Sequence, residues 1–254
     1  MTTPMKIFLA DLAHTKSVEP QSLTVPLNIG YIKSFADQAF GDQVQIELFK
    51  DPELLLLAAS KTRPDVIGFS NYGWNSNLNK AIGKVLRQQL PDVLFVMGGP
   101  NLDFENDPQK AFLSLHNYID FVIDGSGEEP FAELIAWRQI RPNTNESLPQ
   151  NLIYLDENGD LKNTGHRTVT KNIEAIPSPY MSGSLDAFLQ QGMVPLMETN
   201  RGCPFRCTFC AWGMAAQNLV RRFDKDNALQ EIEYISERST ARAWIICDAN
   251  RSEE

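Results

Sequence analysis

The run Glu198-Thr-Asn-Arg-Gly-Cys203-Pro-Phe-Arg-Cys207-Thr-Phe-Cys210-Ala-Trp-Gly213 concentrates the chemistry of this sequence, with three cysteines spaced C-x3-C-x2-C. Thiolates are soft ligands that suit iron–sulfur clusters and zinc. Three of them on one tight loop can hold three irons of a cubane cluster. The fourth iron then has no ligand from the loop, and an open position is where a substrate or cofactor coordinates. Zinc asks for a fourth Cys or His at finger-like spacing. Cys247 lies far downstream in an apolar, strand-like run, and no histidine follows His166. A zinc loop and a chance cluster of buried thiols are the bland alternatives. Cys247 itself reads as a small buried hydrophobe. Glu198 and Arg201 flank the loop and are placed to orient it from outside the ligand set. Arg206 equally suits the surface.

The loop needs elements to hold it. Apolar residues 194–197 read as a strand entering it, and a helix-like segment follows. Farther along, 224–238 is helical and 243–247 is a second strand. Upstream, residues 1–140 alternate strand and helix. Strands are expected at 6–12, 44–49, 64–70, 93–97 and 118–124. Helices are expected at 28–40, from Asp51-Pro-Glu through Ala59, at 75–90, 108–115 and 130–140. That alternation implies an α/β fold with a doubly wound parallel sheet. Residues 141–192 break the rhythm, with an exposed loop at 141–147, a small hairpin around Asp156-Glu-Asn-Gly-Asp160, and an extended connector at 176–180. The expected division is therefore 1–140, a linker at 141–192, and 193–254.

Open parallel sheets bind ligands beyond the carboxyl ends of their strands. Four loops fall there: 13–20, 71–77, 98–101 and 125–129. Asn71, Tyr72, Trp74, Gly98, Gly99, Pro100, Asn101, Gly125, Gly127 and Glu128 are the candidate binding residues. Glycines let backbone amides approach a ligand, and Tyr72 and Trp74 offer flat apolar faces. No loop is a G-x-G-x-x-G pattern or a phosphate P-loop, which disfavours dinucleotides and nucleoside triphosphates and leaves room for something large and flat. Trp74 could simply cap the sheet. Glu128 and Glu129 would favour a helix's positive end whatever the function. Asp103, Glu105 and Asp107 read as a solvated acidic loop.

Composition narrows the class. With 254 residues and 43% hydrophobic content there is material for a real core in one or two domains. A net charge of −9 argues against nucleic acid as a partner. The densest basic feature, Arg221-Arg222, reads as solvated surface. No run reaches membrane-spanning length, and the short polar start before the first strand does not read as a signal peptide. Clustered cysteines argue against a secreted disulfide framework and suit a reducing cytoplasm.

Cys203, Cys207 and Cys210, with Phe209 just before the last, resemble the signature of radical S-adenosylmethionine (radical SAM) enzymes. The wider arrangement resembles the cobalamin-dependent branch of that family over essentially the whole chain. The segments that carry it are Ser70-Asn-Tyr-Gly-Trp-Asn75, Gly98-Gly-Pro-Asn101, Asp124-Gly-Ser-Gly-Glu-Glu-Pro130, Ile176-Pro-Ser-Pro-Tyr180, 198–213 and Asp248-Ala-Asn250. The resemblance implies a Rossmann-like cobalamin-binding domain followed by the start of a partial (β/α) barrel. It implies a [4Fe–4S] cluster on the three cysteines, S-adenosyl-L-methionine on the open iron, and Phe209 and Trp212 near its adenine. It also implies cobalamin on the sheet loops, and a flavodoxin or ferredoxin as electron donor. In the wider cobalamin family a D-x-H-x-x-G loop puts a histidine under cobalt. Asp11-Leu-Ala-His14 has the wrong spacing and lacks the glycine, so His14 is not expected to be a ligand.

The implied reaction is methyl transfer to an unactivated carbon of a small molecule or peptide. The alternatives are a non-methylating radical enzyme, such as a ring-forming one, and a binding-only module. About two barrel strands are present where the family has six, and Arg251-Ser-Glu-Glu does not continue the family pattern. A fragment that binds cobalamin, lacks turnover and is prone to association is the expectation, with a shortened but functional cobalamin carrier as the alternative.

Overall fold

The structure, a computed structural model, describes residues 3–140, 147–166, 173–205, 207–208, 210 and 219–249. It divides into two compact units. The first comprises residues 1–15 and 35–167, the second residues 16–34 and 168–254. Among the described residues no helix is long and apolar enough to cross a membrane.

The first unit is built on a seven-stranded sheet. Its strands are β1 (Met5–Ala10), β2 (Val44–Phe49), β3 (Val66–Ser70), β4 (Leu94–Gly98), β5 (Phe121–Ile123), β6 (Leu152–Leu155) and β7 (Leu161–Asn163), in the order β2-β1-β3-β4-β5-β6-β7. The first five are parallel. Every residue of β3 is buried, as a strand covered on both faces requires. The chain leaves β1 toward β2 on one side and later fills β3, β4 and β5 on the other. The order therefore reverses between β1 and β3, and a crevice opens at the carboxyl ends there. The helices are α1 (Leu27–Phe40), of which only residues 35–40 fall in this unit, α2 (Pro52–Lys61), α3 (Ser76–Gln89), α4 (Asn106–Leu115) and α5 (Glu128–Ile140). Asp51 starts α2 by accepting the Glu53 and Leu54 amides at 2.7 and 3.0 Å, and Pro52 follows at the first helical position. Alternate strand residues Phe8, Ala10, Phe69 and Phe95 share one core cluster with Leu55 of α2 and Leu86 of α3.

The hairpin assigned above to a linker is part of this sheet. β6 lies antiparallel to β5 with Ile153 opposite Val122, and β7 pairs with β6. Leu152 and Ile153 are buried; their apolar side chains complete the core where the parallel run ends. Residues 141–146 of the expected loop lie outside the described residues.

The second unit pairs β8 (Leu196–Met197) in parallel with β11 (Ile245–Ile246), and β9 (Asn200–Arg201) antiparallel with β10 (Arg221–Arg222). Its described residues also include helices α6 (Asp186–Gln190) and α7 (Lys225–Arg238). Asp224 caps α7 through the Asp226 amide at 2.9 Å. Its core is formed by Tyr180, Leu185, Leu189, Met193, Met197 and Ile235. Residues 16–34 belong here too. Val25 donates to the Val194 carbonyl at 3.0 Å, and Val194 donates to Leu23 at 2.8 Å. The Tyr31 and Phe223 rings stack with planes 5° apart. A domain boundary drawn at residue 140 cannot show this, because the contacts join segments far apart in sequence. Arg221, expected at the surface, is buried, while its neighbour Arg222 is exposed; β10 turns one of the pair inward. Cys247, expected to be buried, is exposed. It follows β11, whose Ile245 and Ile246 are 46% and 54% exposed among the described residues.

One buried titratable group makes the first unit acid-sensitive. His116 is 3% exposed, stacks on Phe112 and lies 3.2 Å from the Tyr118 hydroxyl. Burial, reinforced by the Lys80 and Lys84 charges, lowers its pKa from 6.5 to about 4. The unfolded chain therefore binds more protons across that interval, and stability falls as pH drops from 6.5 to about 4. Urea unfolding at a series of pH values should show this loss, and His116→Gln should flatten it in that window. Equal slopes for both proteins would contradict the buried neutral imidazole.

Candidate functional site

The carboxyl ends of β1 and β3 are tied together by a buried polar network. Asp11, just past β1, takes a hydrogen bond from the Lys50 ammonium at 2.8 Å on one carboxylate oxygen. The Ser70 hydroxyl donates to the other at 2.5 Å. The two charged side chains are 8% and 9% exposed. The Asn75 amide nitrogen faces the same carboxylate at 3.5 Å, and Asn79 donates to the Ser70 carbonyl at 2.7 Å. None of Asp11, Lys50, Ser70, Asn75 or Asn79 was singled out as a site residue from sequence. Asp11, Ser70 and Asn75 belong to the segments that carry the sequence resemblance or border it, but nothing in a linear reading says their side chains turn inward.

The predicted loop residues do come together at this end of the sheet. Asn71 is 1% exposed and stitches two loops. Its backbone donates to Gly98 at 2.6 Å, its side chain donates to the Asn101 carbonyl at 2.9 Å, and Asn101 donates back to its carbonyl at 3.3 Å. Gly99 is closed against it: φ is +115°, and an added Cβ would sit 2.5 Å from the Asn71 carbonyl oxygen. That glycine serves loop packing rather than close approach of a ligand. Gly73 and Gly98, by contrast, have open space where a Cβ would stand. Tyr72 and Trp74 stack with centroids 4.4 Å apart and planes 10° apart, and Trp74 is 71% exposed. Trp74 therefore does not cap the sheet from within; it offers a flat face to whatever lies above the strand ends. Pro100, Asn101 and Gly125 are exposed, Gly127 is half-buried, and Glu128 is buried in the first turn of α5. His14 is exposed in the loop after β1. The acidic Asp103, Glu105 and Asp107 are exposed as expected.

In the second unit the cysteine run begins at a firmly held strand end. The Asp248 carboxylate accepts the Thr199 and Asn200 amides at 2.6 and 3.1 Å, the Asn200 side chain at 2.9 Å and the Thr199 hydroxyl at 2.5 Å. Arg201 donates to Glu198 at 2.8 Å, and its guanidinium carbon lies 5.0 and 5.7 Å from the Tyr31 and Phe223 ring centres. Glu198 and Arg201 thus form an ion pair just before the cysteine run. Glu231, within electrostatic reach of Glu198, is 7% exposed, and burial raises its carboxyl pKa. Cys203 and Cys210 are half-buried, Cys207 is exposed, and all three are free thiols. The Cys210 amide donates to the Cys207 carbonyl at 3.1 Å, which puts those two on one turn. No group of three or more His, Cys, Asp or Glu among the described residues is drawn to a common metal position. The fit to an iron–sulfur cluster rests on donor chemistry: three soft, free thiols within eight residues of chain. Phe209 and Trp212 lie outside the described residues. Cys247 stands apart, its thiol donating to the Met197 carbonyl at 3.1 Å.

Comparison with known proteins gives a consistent answer. Residues 17–135 match the B12 binding domain family. The chain is 31% identical over 236 residues to the 2-(S-pantetheinyl)-carbapenam-3-carboxylate methyltransferase of Streptantibioticus cattleyicolor, covering 89% of this chain and 34% of that protein. It is 30% identical over 251 residues to the cobalamin-dependent radical SAM methyltransferase TokK of Streptomyces tokunonensis, with the same two coverages. The solved structure of the cobalamin-dependent S-adenosylmethionine radical enzyme OxsB, with aqua-cobalamin and S-adenosylmethionine bound, shares the fold. The TM-score is 0.71 and the identity 20%, over 97% of this chain and 34% of that one. The chain thus spans about a third of the length of these relatives. It is similar to enzymes of the cobalamin-dependent radical SAM family, and the B12 binding domain match falls on its first part.

Asp248 should be worth more than an ordinary surface carboxylate. Asp248→Ala strands the Thr199 and Asn200 amides at once and should lower the unfolding free energy by about 1–3 kcal/mol in urea titrations. A change of only a few tenths would show that the strand end does not depend on it.

Proposed function

We propose that this chain carries the cobalamin-binding and cluster-binding parts of an enzyme that transfers a methyl group to an unactivated carbon. The observation that carries the reading is the pairing of two features on one chain. One is a sheet whose strand ends present an exposed Tyr72–Trp74 stack beside open glycines. The other is a C-x3-C-x2-C loop of free thiols. Methyltransferases at 30% and 31% identity support the choice of reaction.

The loops after β1, β3, β4 and β5 fit a corrin. They combine a broad apolar face, small residues with open space above them, and backbone groups at one end of the sheet. Tyr72 and Trp74 would lie against the macrocycle, with Gly98, Pro100, Asn101, Gly125 and Gly127 bordering it. Asn71 and Gly99 would hold two of those loops in register. Cys203, Cys207 and Cys210 would ligate the cluster as thiolates, and Arg201 and Glu198 would fix the backbone entering that loop. Phe209 and Trp212 are proposed to border the adenine. When bound, these cofactors supply the methyl carrier and the one-electron chemistry. The chain's own residues bind them, orient them and hold water away. A small-molecule or peptide substrate, a flavodoxin or ferredoxin donor and a cytoplasmic setting complete the proposal.

Anaerobic reconstitution with iron and sulfide tests the cluster half directly. The protein should gain a [4Fe–4S] absorbance and a reduced-state paramagnetic signal. Cys203→Ala, Cys207→Ala and Cys210→Ala should each abolish both, and Cys247→Ala should leave both intact. Cluster loss on changing Cys247 would show that the ligands are wrongly assigned.

A further inference from the structure

We propose that Asn75, anchored on the buried Asp11–Lys50 ion pair, is the positioning residue that fixes the Tyr72–Trp74 stack before a ligand arrives. This rests on the corrin reading of the sheet loops and assigns the device that prepares them. Asn75 occupies the N-cap of α3. An asparagine there ordinarily uses its side-chain oxygen to accept amides of the helix's first turn. Asn75 makes no such bond. Its oxygen accepts instead from the Tyr72 backbone amide at 2.8 Å and from the Asn79 side chain at 3.3 Å. Its side-chain nitrogen faces the Asp11 carboxylate at 3.5 Å and the Ser70 hydroxyl at 3.4 Å. The side chain is thus diverted from helix capping to the loop it closes, while the residue is 1% exposed.

The rest of the turn agrees. The Tyr72 carbonyl accepts from the Asn75 and Ser76 amides at 3.2 and 3.1 Å. Tyr72 is therefore gripped at both its backbone N–H and its carbonyl. Trp74 sits inside that turn and stacks on Tyr72 although it is 71% exposed. The anchor is rigid for an electrostatic reason. Asp11 and Lys50 are both buried, so neither can leave the other without stranding a charge. The carboxylate fixes Asn75, and Asn75 fixes Tyr72. A face held in place beforehand spares a ligand the entropy of ordering it.

Asn75→Ala and Asn75→Asp in the full chain test the assignment, each checked for folding by thermal melting. The first readout is ligand-free near-ultraviolet circular dichroism, with the stack's contribution defined as the band lost in Trp74→Phe. The second is titration with hydroxocobalamin. Asn75→Ala should lose the band and bind about tenfold more weakly, the loss of one well-placed hydrogen bond. Asn75→Asp keeps an acceptor for the Tyr72 amide but sets a second carboxylate against Asp11 where the donor stood, so it loses the anchor and should lose the band as well. A folded Asn75→Ala with an unchanged band and affinity would overturn the proposal, as would a folded Asn75→Asp that keeps the band. If Asn75→Ala does not fold, Asn75→Asp alone decides. If the unaltered chain does not bind hydroxocobalamin while its band still depends on Asn75, the positioning role stands and the corrin reading fails.

Discussion

A carboxylate buried at the end of a parallel strand has to be neutralised where it sits, and in the first unit that requirement organises everything above the sheet. Asp11 follows β1, Lys50 follows β2 and Ser70 ends β3, and the three meet in hydrogen bonds of 2.5 and 2.8 Å. Removing one partner of such a pair leaves an uncompensated charge, at a cost of about 3–5 kcal/mol. The three strand ends are therefore locked in register at the point where the strand order reverses. The loops that leave them have little freedom in where they start. Asn71 extends the order to β4 by joining the 71–75 and 98–101 loops, and Gly99 is the residue that lets them approach so closely.

The second unit uses the same chemistry for a different end. Asp248, beyond β11, gathers the backbone beyond β8 through hydrogen bonds to Thr199 and Asn200. Arg201 is then held by Glu198 and by two aromatic rings. The first cysteine comes two residues later. In both units an acidic group fixes a strand end, and the residues suited to cofactor chemistry lie on the loop just after it. This is the economical way to place a loop accurately, since the sheet supplies rigidity and the carboxylate transfers it to the first residues beyond.

Much of this was legible in the sequence because the signals were local. Apolar runs, and at 44–49 an alternating one, marked the five parallel strands, Asp51-Pro marked the start of α2, and cysteine spacing marked the second candidate site. Tyr72 and Trp74 were visible as aromatic residues in a loop after a strand. What escaped were relations across long stretches of chain. Lys50 looks like any strand-end lysine until Asp11 is seen beside it. Residues 16–34 read as part of the first domain, yet Tyr31 stacks on Phe223. The hairpin at 152–163 read as a linker because two short strands carry too few residues to declare a sheet partner. Arg221 looked like half of a solvated pair, and only its place in β10 buries it. Cys247 sat in an apolar run and read as buried. Exposure of that strand depends on which neighbours lie against it, and no local pattern reports that.

The most direct test is amide hydrogen exchange of the chain with and without hydroxocobalamin. Protection should appear in peptides covering 71–75, 98–101 and 125–128, at the carboxyl ends of the parallel strands. Protection at the opposite end of the sheet, around 91–94 and 119–121, would contradict a corrin site above β1, β3, β4 and β5. So would tight binding with no protection in those three loops.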